Sequence, residues 1–320
     1  MDSTRIKQID ARQILDCKCR PIIEVDVMTE GGHTGCGSSP TGSSVGLHES
    51  FVLRDGDAKE YDGLSVHKAV DIIKNVISPV LIGMDVRDQS AIDNKMIALD
   101  GTPDKHRLGG NSIYSISIAC FRAAAAAANM PLYEYIAGGA EEIKTVPVPS
   151  FNMINGGKYS THIQPFNEFI LIPYKAEDIF QAVEMSVKIY HKIESVIQDY
   201  YNIKPGIGSS YGWIAPSEDP EQNLKLLAEA ADRCGYLDKV AFALDCASSE
   251  MYDKKTRTYY LLGKQIGSDQ MIEYVKGITE RWQIVFVEDL LDEDDWDGYA
   301  KAHSVLKRTL IFGDDFTATD

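Results

Sequence analysis

The chain has 320 residues, enough for about two domains and a sizeable core. Apolar residues make up 44% and charged residues 25%, an ordinary globular composition that excludes disorder of the whole chain. Asp and Glu total 48 against 32 Lys and Arg, so the net charge of −16 has the wrong sign for a nucleic-acid or anionic-membrane binder.

The N-terminus, MDSTRIKQIDARQ, has no apolar stretch of the signal-peptide kind. No run approaches about 18 consecutive apolar residues, so no membrane span is expected. Six cysteines include no Cys-x-x-Cys pair, and reduced thiols in a cytoplasmic protein are the default. Pro21-Ile-Ile-Glu-Val-Asp-Val27 alternates apolar and acidic residues, the pattern of a half-buried strand. Thr29-Glu-Gly-Gly32 can turn it into a second strand. Gly35 to Gly46 is rich in Gly and Ser and reads as a loop. Leu64 to Leu81 has helical spacing. So does Asn111 to Asn129, whose alanine run 123–128 suits close packing and which Pro131 ends. Strands followed by helices predict a small α+β domain, with Gly138-Gly-Ala-Glu-Glu142 as the linker.

After residue 143 the rhythm changes. Strand-like runs at Val146–Met153, Phe169–Pro173, Val240–Cys246, Ile284–Glu288 and Thr309–Asp314 alternate with helical stretches at Asp178–Tyr200, Gln222–Cys234, Asp269–Arg281 and Trp296–Leu306. That alternation predicts a parallel α/β sheet, open or closed. Three of these strands run into acids: Asp245, Glu288-Asp289 and Asp314-Asp315. One such acid only steps out to solvent or caps the next helix. Three at equivalent ends would converge on the rim where (β/α)8 barrels carry their sites, and carboxylate oxygens are what a hard cation such as Mg²⁺ takes. The run Asp292-Glu-Asp-Asp295 reads as a helix-starting acid cluster.

Ordered motifs extend over nearly the whole chain: Ala11-Arg-Gln-Ile-Leu-Asp16, Gly46-Leu-His-Glu49, Leu53-Arg-Asp-Gly-Asp57, Leu99-Asp-Gly-Thr102, Ile154-Asn-Gly-Gly157, Glu168-Phe169, Ala243-Leu-Asp245, Ala247-Ser-Ser-Glu250, Glu293-Asp-Asp-Trp296 and Gly313-Asp-Asp315. In these the sequence resembles the enolase family (phosphopyruvate hydratases). The resemblance implies an α/β fold: an N-terminal α+β domain over 1–138, with a mobile loop at 38–48, then an enolase-type (β/α)8 barrel over 143–320 with one reversed strand. It implies a lyase that dehydrates 2-phospho-D-glycerate to phosphoenolpyruvate in glycolysis, with Mg²⁺ as cofactor, a small phosphorylated acid as substrate, a homodimer or larger homo-oligomer, and a cytoplasmic location. The family's metal triad maps onto Asp245, Glu288 and Asp314, and Thr41 stands where a loop serine helps hold a second metal. The superfamily abstracts a proton beside a carboxylate with a Lys or His base while Mg²⁺ stabilises the ene-diolate.

The departures cluster in the substrate pocket. Tyr159 replaces a substrate-contacting histidine, and His162 nearby reads as a surface residue. Tyr211 replaces the glutamate that helps expel hydroxide; a phenol, with an ordinary pKa near 10, is a different acid. Glu168 keeps its family position as a catalytic and substrate-binding residue. Five barrel strands are expected before the sequence stops, and the family's Lys base and phosphate-binding segment align beyond residue 320. The reading is therefore a partial record of a longer chain, without turnover by itself. Two alternatives stay open: a paralogue acting on another 2-substituted acid, and a non-catalytic enolase-like binding protein.

Overall fold

The computed structural model describes residues 3–40, 45–139, 141, 143–157 and 164–318. They fall into two compact units, 3–40 with 48–146 and 45–47 with 147–318.

The first unit opens with an antiparallel sheet of β1 (Ile6–Leu15), β2 (Pro21–Thr29) and β3 (Thr34–Ser39), in that order. The alternation read in β2 is real: Ile23, Val25 and Val27 are fully buried, while Glu24 and Asp26 face outward and both pair with Arg12 of β1. Sequence reading passed over β1, whose pattern is less regular. It also took Gly35 onward as loop, and here the structure corrects it. Gly35 and Gly37 lie in β3, pressed against a helix, so that a Cβ on Gly35 would sit 2.1 Å from the Ala119 carbonyl oxygen and one on Gly37 2.2 Å from that of Ser115. Those glycines are there for close approach, not for turning.

Helix α1 (His67–Ile72) passes through a π-helical turn, Ile73–Ile77, into α2 (Ser78–Leu81), together filling the expected 64–81 helix from its fourth residue on. Helix α3 (Gln89–Asp100) was not foreseen; Asp88 caps it by accepting the Ala91 amide, and Gly101 ends it at φ 71°. Helix α4 (Gly110–Ala127) lies on the sheet, burying Ala119, Ala123, Ala124 and Ala125. The small residues Ser115, Ala119 and Ala123 are where α4 approaches the two glycines of β3. Helix α5 (Leu132–Ala137) follows and stops at Gly138.

The second unit is a six-stranded sheet under helices. Its strands are β4 (Phe151–Gly157), β5 (Gln164–Ile172), β6 (Trp213–Ile214), β7 (Ala241–Asp245), β11 (Ile284–Glu288) and β12 (Leu310–Phe312), in the order β12-β11-β7-β5-β4-β6. Between β7 and β11 a small antiparallel sheet intervenes, β8 (Tyr252–Asp253), β9 (Thr258–Leu261) and β10 (Lys264–Ile266), which the coarse reading missed. The strand expected from Val146 starts only at Phe151; Val146 and Val148 stand exposed before it. The expected parallel sheet has one reversal, since β5 runs antiparallel to both β4 and β7. Among the described residues the sheet ends at two unpaired edges, β12 and β6, and does not close.

The helices α6 (Ile179–Tyr201), α7 (Pro220–Arg233), α8 (Ser268–Arg281) and α9 (Trp296–Val305) sit within two residues of their expected bounds. Asp178, Asp219 and Asp295 cap three of them with side-chain hydrogen bonds. Strand alternation splits the sheet into two faces. Phe169, Leu171, Phe242, Leu244 and Val287 pack into the large core with the helices. Ile170, Ile172, Ala243 and Phe286 form a separate small cluster on the opposite face.

Candidate metal centre

On that second face, at the end of the apolar cluster, three acids stand side by side. Glu168 of β5 is directly opposite Asp245 of β7, and Asp245 is directly opposite Glu288 of β11. Neighbouring strands are about 4.8 Å apart, so the register alone sets three carboxylates in one row across the sheet. Period two explains the choice of face: Glu168 shares parity with Ile170 and Ile172, Asp245 with Ala243, and Glu288 with Phe286. Beyond Glu288 the row continues to Phe312 of β12, whose ring stacks on Phe286 at 4.6 Å.

Carboxylate oxygens of Asp245, Glu288 and Asp289 all lie within 4.8 Å of one another. Asp245 is 9% exposed and is held by the Asn167 side-chain amide (2.7 Å) and the Ala247 backbone amide (2.9 Å). Asp289, at φ 44°, accepts the amides of Asp314 (3.1 Å), Asp315 (2.9 Å) and Phe316 (3.3 Å), which fastens the turn after β12 to the end of β11. Burial raises all three carboxyl pKa values. Asp245 is pushed well above the carboxylate range by desolvation and then by the charge of Glu288. Glu288 is pushed up to about 7 by burial and by the negative charges of Asp289, Asp314, Glu168 and Asp315. Asp289 is raised by burial, against which its three amide bonds work.

The structure places the residues named from sequence unevenly. Asp245 and Glu288 come together. Asp314 is half-buried and close enough for its charge to act on Glu288, but the third member of the tight group is Asp289. Its signal was present in the pair Glu288-Asp289, read as a single ligand position. Asn152 donates to Glu168 at 2.9 Å and to the Ser210 carbonyl at 3.0 Å, tying Glu168 to the loop before β6. Tyr211 of that loop is 52% exposed at φ 67°, and its carbonyl accepts the Tyr190 hydroxyl at 2.7 Å. Thr41, Tyr159 and His162 lie outside the described residues. The Leu47 amide donates to Glu293 at 2.8 Å, and a Cβ on Gly46 would meet Asp315 and Glu293 at 3.0 and 3.1 Å. Asn152, Asn167 and Asp289 are the contributors that motif reading missed.

The donor set suits a hard divalent cation. The ligands are oxygens only, they converge, and the charges acting most on Glu288 are all negative. The Asn167 side-chain oxygen is also buried without a hydrogen-bond partner beside Asp245.

Two family models match: the enolase N-terminal domain over residues 6–136 and the enolase C-terminal TIM barrel domain over residues 143–320. A curated relative, the enolase of Methanococcus aeolicus, is 39% identical over 320 residues, which is 100% of this chain and 74% of the relative. The chain belongs to the enolase family. In an enolase the N-terminal unit precedes a barrel, and the open sheet described above is the barrel part present here. Membership implies a divalent metal, a small acid substrate and oligomerisation, and it makes an enolase-like lyase activity the natural expectation. Among the described residues, no helix is long and apolar enough to cross a membrane.

Proposed function

We propose that this enolase-family chain is a Mg²⁺-dependent hydro-lyase that interconverts 2-phospho-D-glycerate and phosphoenolpyruvate in cytoplasmic glycolysis. The observation that carries the reading is the in-register row Glu168–Asp245–Glu288 joined by Asp289. Asp245, Glu288 and either Asp289 or Asp314 hold the ion; Thr41 is the loop hydroxyl assigned to a second one. A bound divalent cation offsets the charge of the substrate carboxylate and of the dianion left when the α-proton is removed. Glu168, fixed by Asn152, assists departure of the hydroxyl and contacts the substrate, with Tyr159 on the substrate side. Tyr211 supplies an acid where the family has a carboxyl. The domain bounds proposed with this reading are 1–138 and 143–320, and the assembly is a homodimer or larger.

The second reading, a changed substrate or a lost reaction, is favoured by Tyr211, which is half exposed on a left-handed backbone. One experiment separates them: titrate the chain with 2-phosphoglycerate in Mg²⁺ and in EDTA, following both binding heat and enol absorbance. Mg²⁺-dependent formation of phosphoenolpyruvate establishes the lyase. Mg²⁺-dependent binding without product supports 2-phosphoglycerate as the ligand and agrees with the expectation that these 320 residues do not turn it over alone. Absence of both overturns 2-phosphoglycerate as the ligand.

A further inference from the structure

The first unit carries a cleft of about 590 Å³ that has no part in the acidic row. Ser3, Thr4, Arg5, His33, Asp85 and Arg87 line it, beside the end of α4. The segment 3–6 is held there from both sides. On one side the Ile6 amide donates to Met84 and the Val86 amide to Thr4. On the other, the Glu30 and Gly31 amides donate to Arg5 and Ser3. Arg5 is bridged to Asp85 across this pairing, which puts their side chains on one face.

Both guanidinium groups are positioned before any ligand arrives. Arg5 donates one terminal nitrogen to the Gly83 carbonyl at 2.8 Å. Arg87 binds Asp85 through its Nε at 3.1 and 3.2 Å and through Nη2 at 2.7 Å. The bonds from Arg87 hold the Asp85 carboxyl well below the usual range, so the pair stays ionised throughout the neutral region. The two acids within reach are committed: Asp85 to Arg87, and Glu30 to the Ser3 hydroxyl at 2.6 Å. The cleft thus sets two guanidiniums against two acids, but Asp85 is taken by Arg87, and Arg5 meets a backbone carbonyl and no carboxylate among the described residues; with the His33 ring at the rim, the N–H groups left on the two guanidiniums make a seat for an oxyanion.

We propose that this cleft is a binding site for the phosphate group of a small phosphorylated molecule, gripped by Arg5 and Arg87 and flanked by His33. Free phosphate and a phosphomonoester share that chemistry. The test uses the whole chain in EDTA, so that any binding at the acidic row is silent. Inorganic phosphate and glycerol 3-phosphate are titrated separately while the His33 ring resonance, assigned by its loss in His33→Gln, is followed by NMR. A saturable His33 shift is expected with at least one of them, and the tighter one names the source. Arg5→Gln and Arg87→Lys should each weaken it about tenfold or more, because each removes charge-assisted bonds or the planar fork. Arg107→Gln, on an exposed loop outside the cleft, should leave it unchanged. Circular dichroism checks that the Arg variants are folded; Arg87→Lys keeps the charge beside Asp85 should Arg5→Gln unfold the chain. No saturable shift with either anion, or equal loss in Arg107→Gln, overturns the site.

Discussion

At the scale of single residues the acidic row has a measurable cost. Glu288, ordinarily near 4.5, titrates at about 7 because burial and four neighbouring acids oppose its ionisation. A carboxyl whose folded pKa lies above its unfolded value binds its proton more readily when folded. Its contribution to stability is therefore whole below pH 4.5 and is lost as the pH rises through 7. Discounted for partial exposure, the loss is on the order of 2 kcal/mol. Urea unfolding in EDTA should accordingly give lower stability at pH 8 than at pH 5, and Mg²⁺ at pH 8 should restore it. Glu288→Gln should flatten the dependence; stability that instead rises across this window in EDTA would refute the charge assignment. Asp289 allows a second check. Its carboxylate holds three amides and also stands among the candidate ligands, so Asp289→Asn should cost about 1–2 kcal/mol of stability and weaken Mg²⁺ about tenfold. Asp314→Asn should weaken Mg²⁺ with little change in stability. Calorimetry of both variants decides which acid is the third ligand: unchanged Mg²⁺ binding in Asp289→Asn reduces that residue to a clamp.

At the scale of elements, the helices of the second unit were legible because three follow a capping Asp and each buries one side, as in α6 with Asp178 before it and Met185, Ile189, Ile193 and Val196 buried. What was not legible is informative. The composition of β3 is that of a loop, and only the neighbouring helix reveals why its glycines are required. Gly35→Ala or Gly37→Ala would drive a methyl group into the backbone of α4, with no flexible side chain to yield. We expect a loss of about 3 kcal/mol or more for each, read by urea unfolding. Gly32→Ala, which meets nothing within 4 Å but has φ 85°, should cost only about 1 kcal/mol. Equal costs at positions 32 and 35 would show that α4 can withdraw. The same limit applies to the site. The strand ends announced that Asp245 and Glu288 would converge, but that Glu168 joins them in one row depends on the reversed β5 and its register, which no local pattern encodes. Asn152 and Asn167 escaped for the same reason: their roles exist only through partners distant in the chain.

At the scale of the molecule, the two units carry separate cores, and among the described residues one edge of the second unit's sheet is β12, paired only with β11. Along β12, Leu310 is 58% exposed and Phe312 44% exposed, and on the side away from β11 no strand among the described residues meets its backbone groups. An apolar edge of that kind invites pairing with another chain. The 320 residues expressed alone should therefore self-associate in a concentration-dependent way. Leu310→Lys should shift the distribution towards smaller species in sedimentation velocity, and an unchanged distribution would place the association elsewhere. The two-unit organisation and the open sheet could be anticipated from the rhythm of the elements, although the count of five strands missed the two-residue β6. The edge chemistry could not, because exposure of Leu310 depends on what lies beside it.

The alternation in β5 has one more consequence. Phe169 and Leu171 are wholly buried under the helices, while Glu168, of opposite parity, faces the other way with Ile170 and Ile172. A slip of β5 by a single residue would turn Glu168 into the apolar layer and push Phe169 and Leu171 out beside Asp245, at a cost of several kcal/mol for the two side chains alone. Misregistered chains are thus rejected by the oil-loving layer before any chemistry is attempted. The core proofreads the acidic row, so a chain that has folded at all has already set its acids in line.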